Sequence, residues 1–146
     1  MRTILLFALG VVVLAQAPPR DSLRAQAKQS FDAEIAREKS GDCSNATTTY
    51  DSNICYGKAA AAAEQSLKIF ESSVHDLLNL TAPEAAVEFS RVEGLWHTYL
   101  DAAASAAFHQ FQGGTGGASF ELETRIRLVR SHLRELDTVY YSALHM

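Results

Sequence analysis

Glu93, His97 and Asp101 stand at i, i+4 and i+8 of one segment. On a helix this spacing lines three side chains along one edge. Two carboxylates and an imidazole so placed could ligate a divalent cation. A solvated polar face gives the same spacing, and it is the reading favoured here. No HExxH pattern is present, and no second segment offers a matching pair of ligands. A metal-binding domain would need His97 to meet a ligand from another helix, such as His75. No metal site and no cofactor are assigned.

Covalent chemistry finds little support. The chain has no G-x-S-x-G elbow. Its two cysteines are Cys43 and Cys55. In an oxidising compartment they are expected to form one disulfide, which would close a short loop and remove both as nucleophiles. Two buried free thiols are the alternative. Gly113-Gly-Thr-Gly-Gly117 lacks the GK[ST] ending and the preceding strand of a phosphate loop. These absences point away from an enzyme.

The elements that must position these residues read as helices throughout. Residues 20–40 carry sparse apolar positions at Leu23, Ala27, Phe31 and Ile35, and Gly41 supplies a stop. This predicts a short first helix, treated as an N-terminal extension over residues 18–41. Thr48-Thr-Tyr-Asp51 resembles a capping box with Asp in place of Glu. The stripe behind it runs through Ile54, Ala61, Leu67, Phe70, Val74 and Leu77. Thr81-Ala-Pro-Glu84 signals the next start, with Thr81 as the expected cap and Pro83 in the first turn. Its expected core stripe is Ala85, Phe89, Val92, Trp96, Tyr99, Ala103 and Ala106. The Gly113–Gly117 run then breaks the chain. The last stripe, Leu122, Ile126, Val129, Leu133, Leu136, Tyr140 and Ala143, alternates steps of four and three. The predicted fold is all-α: an antiparallel bundle of three long helices plus the short N-terminal one. The helical domain proper is expected over residues 42–146.

The chain opens with Met-Arg, an apolar run from Thr3 to Leu14, and Ala15-Gln16-Ala17. A basic start, a short apolar stretch and an A-x-A site make a secretory signal peptide over residues 1–17. The run is too short for a bilayer span, which needs about 20 residues. The expected location is secreted or periplasmic, with no membrane span after cleavage behind Ala17. Residues 1–17 hold one Arg and no acid. Of the 13 basic and 17 acidic residues, 12 and 17 therefore remain, a net charge of −5. That balance disfavours nucleic acid as a partner.

Several spaced features resemble the lysozyme inhibitor LprI-like N-terminal domain family, a group of small bacterial secreted or envelope helical domains. Asp42-Cys43-Ser-Asn-Ala-Thr-Thr with Cys55 is similar to that family's first cysteine pair. Glu64-Gln-Ser-Leu67 falls where the family has Asp-x-x-Leu-Asn. Trp96-x-x-Tyr99-x-Asp101 is similar to its Trp-x-x-Tyr-Arg-Asp motif. Gly113 to Ser119 matches its Gly-Gly-Ser loop, and Thr124-Arg125-x-Arg127 with Leu133 its closing element. The resemblance covers about residues 42–137. Leu100 replaces the family Arg, Glu93 replaces a Gln, and the second cysteine pair is missing.

The resemblance implies a non-enzymatic binding protein that inhibits or sequesters a lysozyme-like muramidase. Lysozymes are typically basic, so an acidic inhibitor gains association rate from electrostatic steering. Glu93, Asp101 and the loop glycines Gly113, Gly114, Gly116 and Gly117 are the candidate contact residues. The alternative is a structural or stress-related envelope protein that uses its apolar stripes to hold a bundle or a dimer.

Overall fold

A computed structural model describes residues 19–111 and 114–146. Residues 1–17, read as a signal peptide, and Gly113 lie outside the described residues. Five helices make up the fold: α1 Arg20–Ser40, α2 Thr49–Thr81, α3 Pro83–His109, α4 Gly117–Val139 and α5 Tyr141–His145. Among the described residues there is no strand. The all-α bundle expected from the sequence is the fold observed.

Local chemistry accounts for the breaks. Gly41 ends α1 with φ 78°, a left-handed conformation that a side chain would disfavour. Thr48 caps α2: its hydroxyl accepts the Asp51 N–H at 3.1 Å and donates to the Asp51 carboxylate at 2.7 Å. Ala82 alone joins α2 to α3, whose first residue is Pro83. Pro is favoured there because its missing N–H would have no helical acceptor. Thr81, expected to cap α3, instead ends α2. Its hydroxyl donates back to the Leu77 carbonyl at 3.0 Å.

The cross-links give the helix directions. Going along α2 from Ser66 to Ser73, the partners on α1 retreat from Arg37 to Gln26. Glu64 and Glu71 of α2 lie level with Asp101 and His97 of α3. His132 of α4 faces Glu93 of α3, while Arg125 faces Asp101. From α1 to α4 each successive pair of helices is therefore antiparallel, and α2 touches every other helix. Leu67, Phe70, Val74 and Leu77 of α2 meet Phe89 and Leu100 of α3 and Val129, Leu133 and Leu136 of α4 in one core. Leu23 and Ala27 bring α1 into that core, and Leu144 brings α5. Each such large apolar side chain contributes about 1.5–3 kcal/mol by burial. Cys43 and Cys55 form the expected bridge, S–S 2.09 Å, across the α1–α2 connection.

The α3 stripe departs from expectation by one residue. The buried positions are Ala86, Phe89, Glu93, Leu100, Ala104 and Ala107, with Trp96 packed against the core and half-buried. Val92 and Tyr99, expected inside, are 45 % and 56 % exposed. On α1 the same correction applies. Leu23 and Ala27 are followed by Ser30 and Glu34, not by Phe31 and Ile35, as the fully buried positions. Glu34 is charged and has no exposure. Arg130 Nε of α4 donates to its Oε1 at 2.7 Å, and Arg37 Nε to its Oε2 at 2.9 Å. Arg130 also bridges both oxygens of Asp42, and Arg37 reaches the Ser66 hydroxyl at 2.6 Å. This cluster fastens α1, α2, α4 and the disulfide-bearing loop together.

Candidate functional site

A second cluster of charged groups lies at the middle of the bundle, where α2, α3 and α4 meet. Glu71, Glu93 and His132 come from these three helices and bring ligand-capable atoms within 4.8 Å of one another. His132 Nε2 lies 2.7 Å from Glu93 Oε2, with the two side chains only 5 % and 8 % exposed. The other ring nitrogen, Nδ1, lies 3.3 Å from Glu135 Oε2. The indole of Trp96 stacks on the His132 ring, with centroids 3.9 Å apart and planes 8° from parallel. At the rim, His97 Nε2 makes a hydrogen bond with Glu71 Oε2 at 3.1 Å. Glu71 Oε1 is equally near that nitrogen, at 3.0 Å, but off the line of a hydrogen bond.

The electrostatics of this cluster are strained. Burial pushes the Glu71 carboxyl up to about 7, and the facing Glu93 carboxylate adds to the push while His97 opposes it. Burial alone would lower the His132 imidazolium. The contacts with Glu93 and then Glu135 outweigh it and raise that group above its ordinary value. Oε1 of Glu71 and Oε1 of Glu93 are both buried with no hydrogen bond. Buried polar atoms are normally paired, so two orphans facing one cluster call for explanation.

Of the three residues singled out by spacing, Glu93 and His97 both face Glu71, whereas Asp101 does not join them. Glu93 was placed on an exposed edge but is 6 % exposed and points into the bundle. It occupies the inward stripe four residues after Phe89 and seven before Leu100. A rigid partner on the outside cannot reach it. Asp101 is exposed and receives Arg125 Nη2 at 2.8 Å. His97 turns to Glu71, and His75 pairs with Asp76 at 3.1 Å, so these two histidines do not converge. Among the candidate contact glycines described, Gly114 is exposed, Gly116 is half-buried and Gly117 is buried. A Cβ at Gly117 would lie 3.1 Å from the Phe108 ring, and one at Gly116 would lie 3.3 Å from the Phe111 ring. One at Gly114 would meet the Phe111 carbonyl at 3.1 Å. These glycines let the turn press onto two aromatic rings.

Glu71, His132 and Glu135 were not singled out from the sequence. A carboxylate and an imidazole on separate helices have no fixed spacing along the chain. The available signal was Glu93 itself, a charged residue in step with Phe89, Trp96 and Leu100.

α3 also carries a second apolar stripe on its outside. Val92, Leu95 and Tyr99 are 45, 61 and 56 % exposed, with Glu88 one turn before Val92 on the same face. Ala102 and Ala106 continue it, both exposed. No family model, curated protein or solved structure matches the chain.

Proposed function

We propose that the protein is a secreted or periplasmic, non-enzymatic binding protein, and that its partner is a basic muramidase-like protein met by the outer face of α3. The observation that carries the reading is the exposed stripe Val92, Leu95 and Tyr99 on a helix whose adjacent face fills the core. Contiguous exposed apolar surface on a small domain marks an interaction site. The net charge of −4 over the full chain, or −5 without residues 1–17, suits a basic partner, and Glu88 puts one acid on the stripe itself. The Cys43–Cys55 bridge supports a location outside the reducing cytoplasm. The LprI-like resemblance supports the muramidase class.

Hydrolysis of cell-wall substrate by several basic muramidases, with the mature protein in excess at low salt, tests this. Inhibition is expected, with slower association as salt rises. Leu95→Glu should abolish it without changing helicity. If no muramidase is affected, the structural envelope reading takes over. In that case the same face would pair with a second copy, giving a dimer in sedimentation that Leu95→Glu separates.

A further inference from the structure

The central cluster brings three side chains with ligand-capable atoms within 4.8 Å of one another. Its side chains come from three helices, and two carboxylates face each other with little solvent to screen them. One oxygen on each is buried and without a hydrogen bond, although the Glu93 side chain is more than nine-tenths buried. The half-buried and the buried arginine of α4 are committed elsewhere. Arg125 holds Glu64 and Asp101, and Arg130 holds Glu34 and Asp42.

We propose that Glu71, Glu93 and His132 bind one divalent transition ion of the zinc type, which ties α2, α3 and α4 together at mid-bundle. Two carboxylates and one neutral imidazole supply the charge and the mixed O and N donors that such an ion takes. Calcium and magnesium favour all-oxygen shells, so the imidazole argues against them. Glu135 sits on the far nitrogen of His132 and holds the ring with Nε2 toward the carboxylates. A carboxylate on the outer nitrogen is the usual support of a metal-bound histidine. With bonds of about 2.0–2.1 Å, neighbouring tetrahedral ligand atoms lie about 3.3 Å apart. The 2.7 Å contact between His132 and Glu93 must open slightly and the wider separations must close. Glutamate rotamers allow both movements. The ion takes the place of the proton between Nε2 and Oε2, and that proton and any proton held by Glu71 leave to solvent on binding. His97, bonded to Glu71 at the rim, covers the entrance rather than supplying a ligand.

Trp96 is the only tryptophan of the chain and lies flat on His132, so its emission reports this site alone. Metal-stripped protein with its disulfide intact is titrated with ZnCl2 by calorimetry and by Trp96 fluorescence. One equivalent should bind, shift the emission and raise Tm. Glu71→Gln should weaken binding at least tenfold, and Glu135→Gln should weaken it severalfold. His97→Asn should weaken it less than tenfold, and His75→Asn should leave it unchanged. Glu93→Gln and His132→Asn alter buried positions and can unfold the protein. Co2+ on the wild-type chain therefore gives an independent reading: visible d–d bands and stoichiometric quenching of Trp96. The proposal is overturned by absence of one-equivalent zinc binding. Binding that survives Glu71→Gln but is lost in His75→Asn overturns it too, by placing the ion on the surface.

Discussion

The bundle buries charge in two places, and they are built differently. Around Glu34, the carboxylate oxygens both receive arginine N–H groups, and Arg130 is completed by Asp42. Around Glu93, one oxygen meets His132 and the other has no donor once the facing Glu71 carboxyl has lost its proton. The first cluster is satisfied by fixed cations that cannot lose their charge. The second relies on an imidazole and a carboxyl whose protons can leave. A complete network fastens helices, whereas an incomplete one at the same depth is poised for a ligand. The difference separates a structural fastening from a candidate site within one core.

Breaking the first cluster should have the largest effect. Arg130→Ala leaves Oε1 of the fully buried Glu34 without a partner, Arg37 holding only Oε2, and should cost about 3–5 kcal/mol. Denaturant unfolding measures it. Replacing Arg130, Glu34 and Asp42 together by apolar residues should recover much of the loss. No recovery would mean that the charges do more than satisfy one another.

Removing the bridge beside that cluster comes next. Cys43 and Cys55 are 12 positions apart, and Cys43→Ser with Cys55→Ser should cost about 2–3 kcal/mol. Thermal unfolding with and without reductant checks this. Equal Tm values in the two conditions would count against it.

The second cluster should show itself through pH in metal-stripped protein. Glu71 is raised from 4.5 to about 7, so its folded state holds a proton more tightly than its unfolded state. Its contribution is present below about pH 4.5 and is lost as pH rises through 7. His132, faced by Glu93 and Glu135, is also raised and acts in the same direction at higher pH. Tm should therefore fall from pH 6 to pH 8. Glu71→Gln should flatten this slope and add about 1–3 kcal/mol at pH 8. An unchanged slope in that variant would remove the distinction between the clusters. The smallest effect on stability is expected outside both of them. Leu95→Glu, on an exposed face, should change unfolding by no more than about 0.5 kcal/mol.

Much of this architecture was legible in the residues. The Thr48–Asp51 cap, Gly41, Pro83 and the glycine run fall where the helices begin and end. The α4 stripe from Ile126 through Leu136 is buried as its spacing required. The two buried glutamates are invisible to a stripe read from apolar residues alone. Leu23 and Ala27 continue in step to Ser30 and Glu34, and Ala86 and Phe89 continue to Glu93. Following the period through polar residues would have placed both glutamates inside. On α3 the outer stripe Val92, Leu95 and Tyr99 competed with the inner one and pulled the assignment round by one residue. The meeting of Glu71 with His132 depends on how α2 and α4 pack, which no local pattern encodes.

Crystals of the protein grown with zinc, with diffraction collected at the zinc absorption edge, test the central claim most directly. One anomalous peak should lie among Glu71, Glu93 and His132, with His132 Nε2 no longer bonded to Glu93. No peak there, with the 2.7 Å contact between His132 and Glu93 intact, would contradict the account and leave the cluster a buried ion pair.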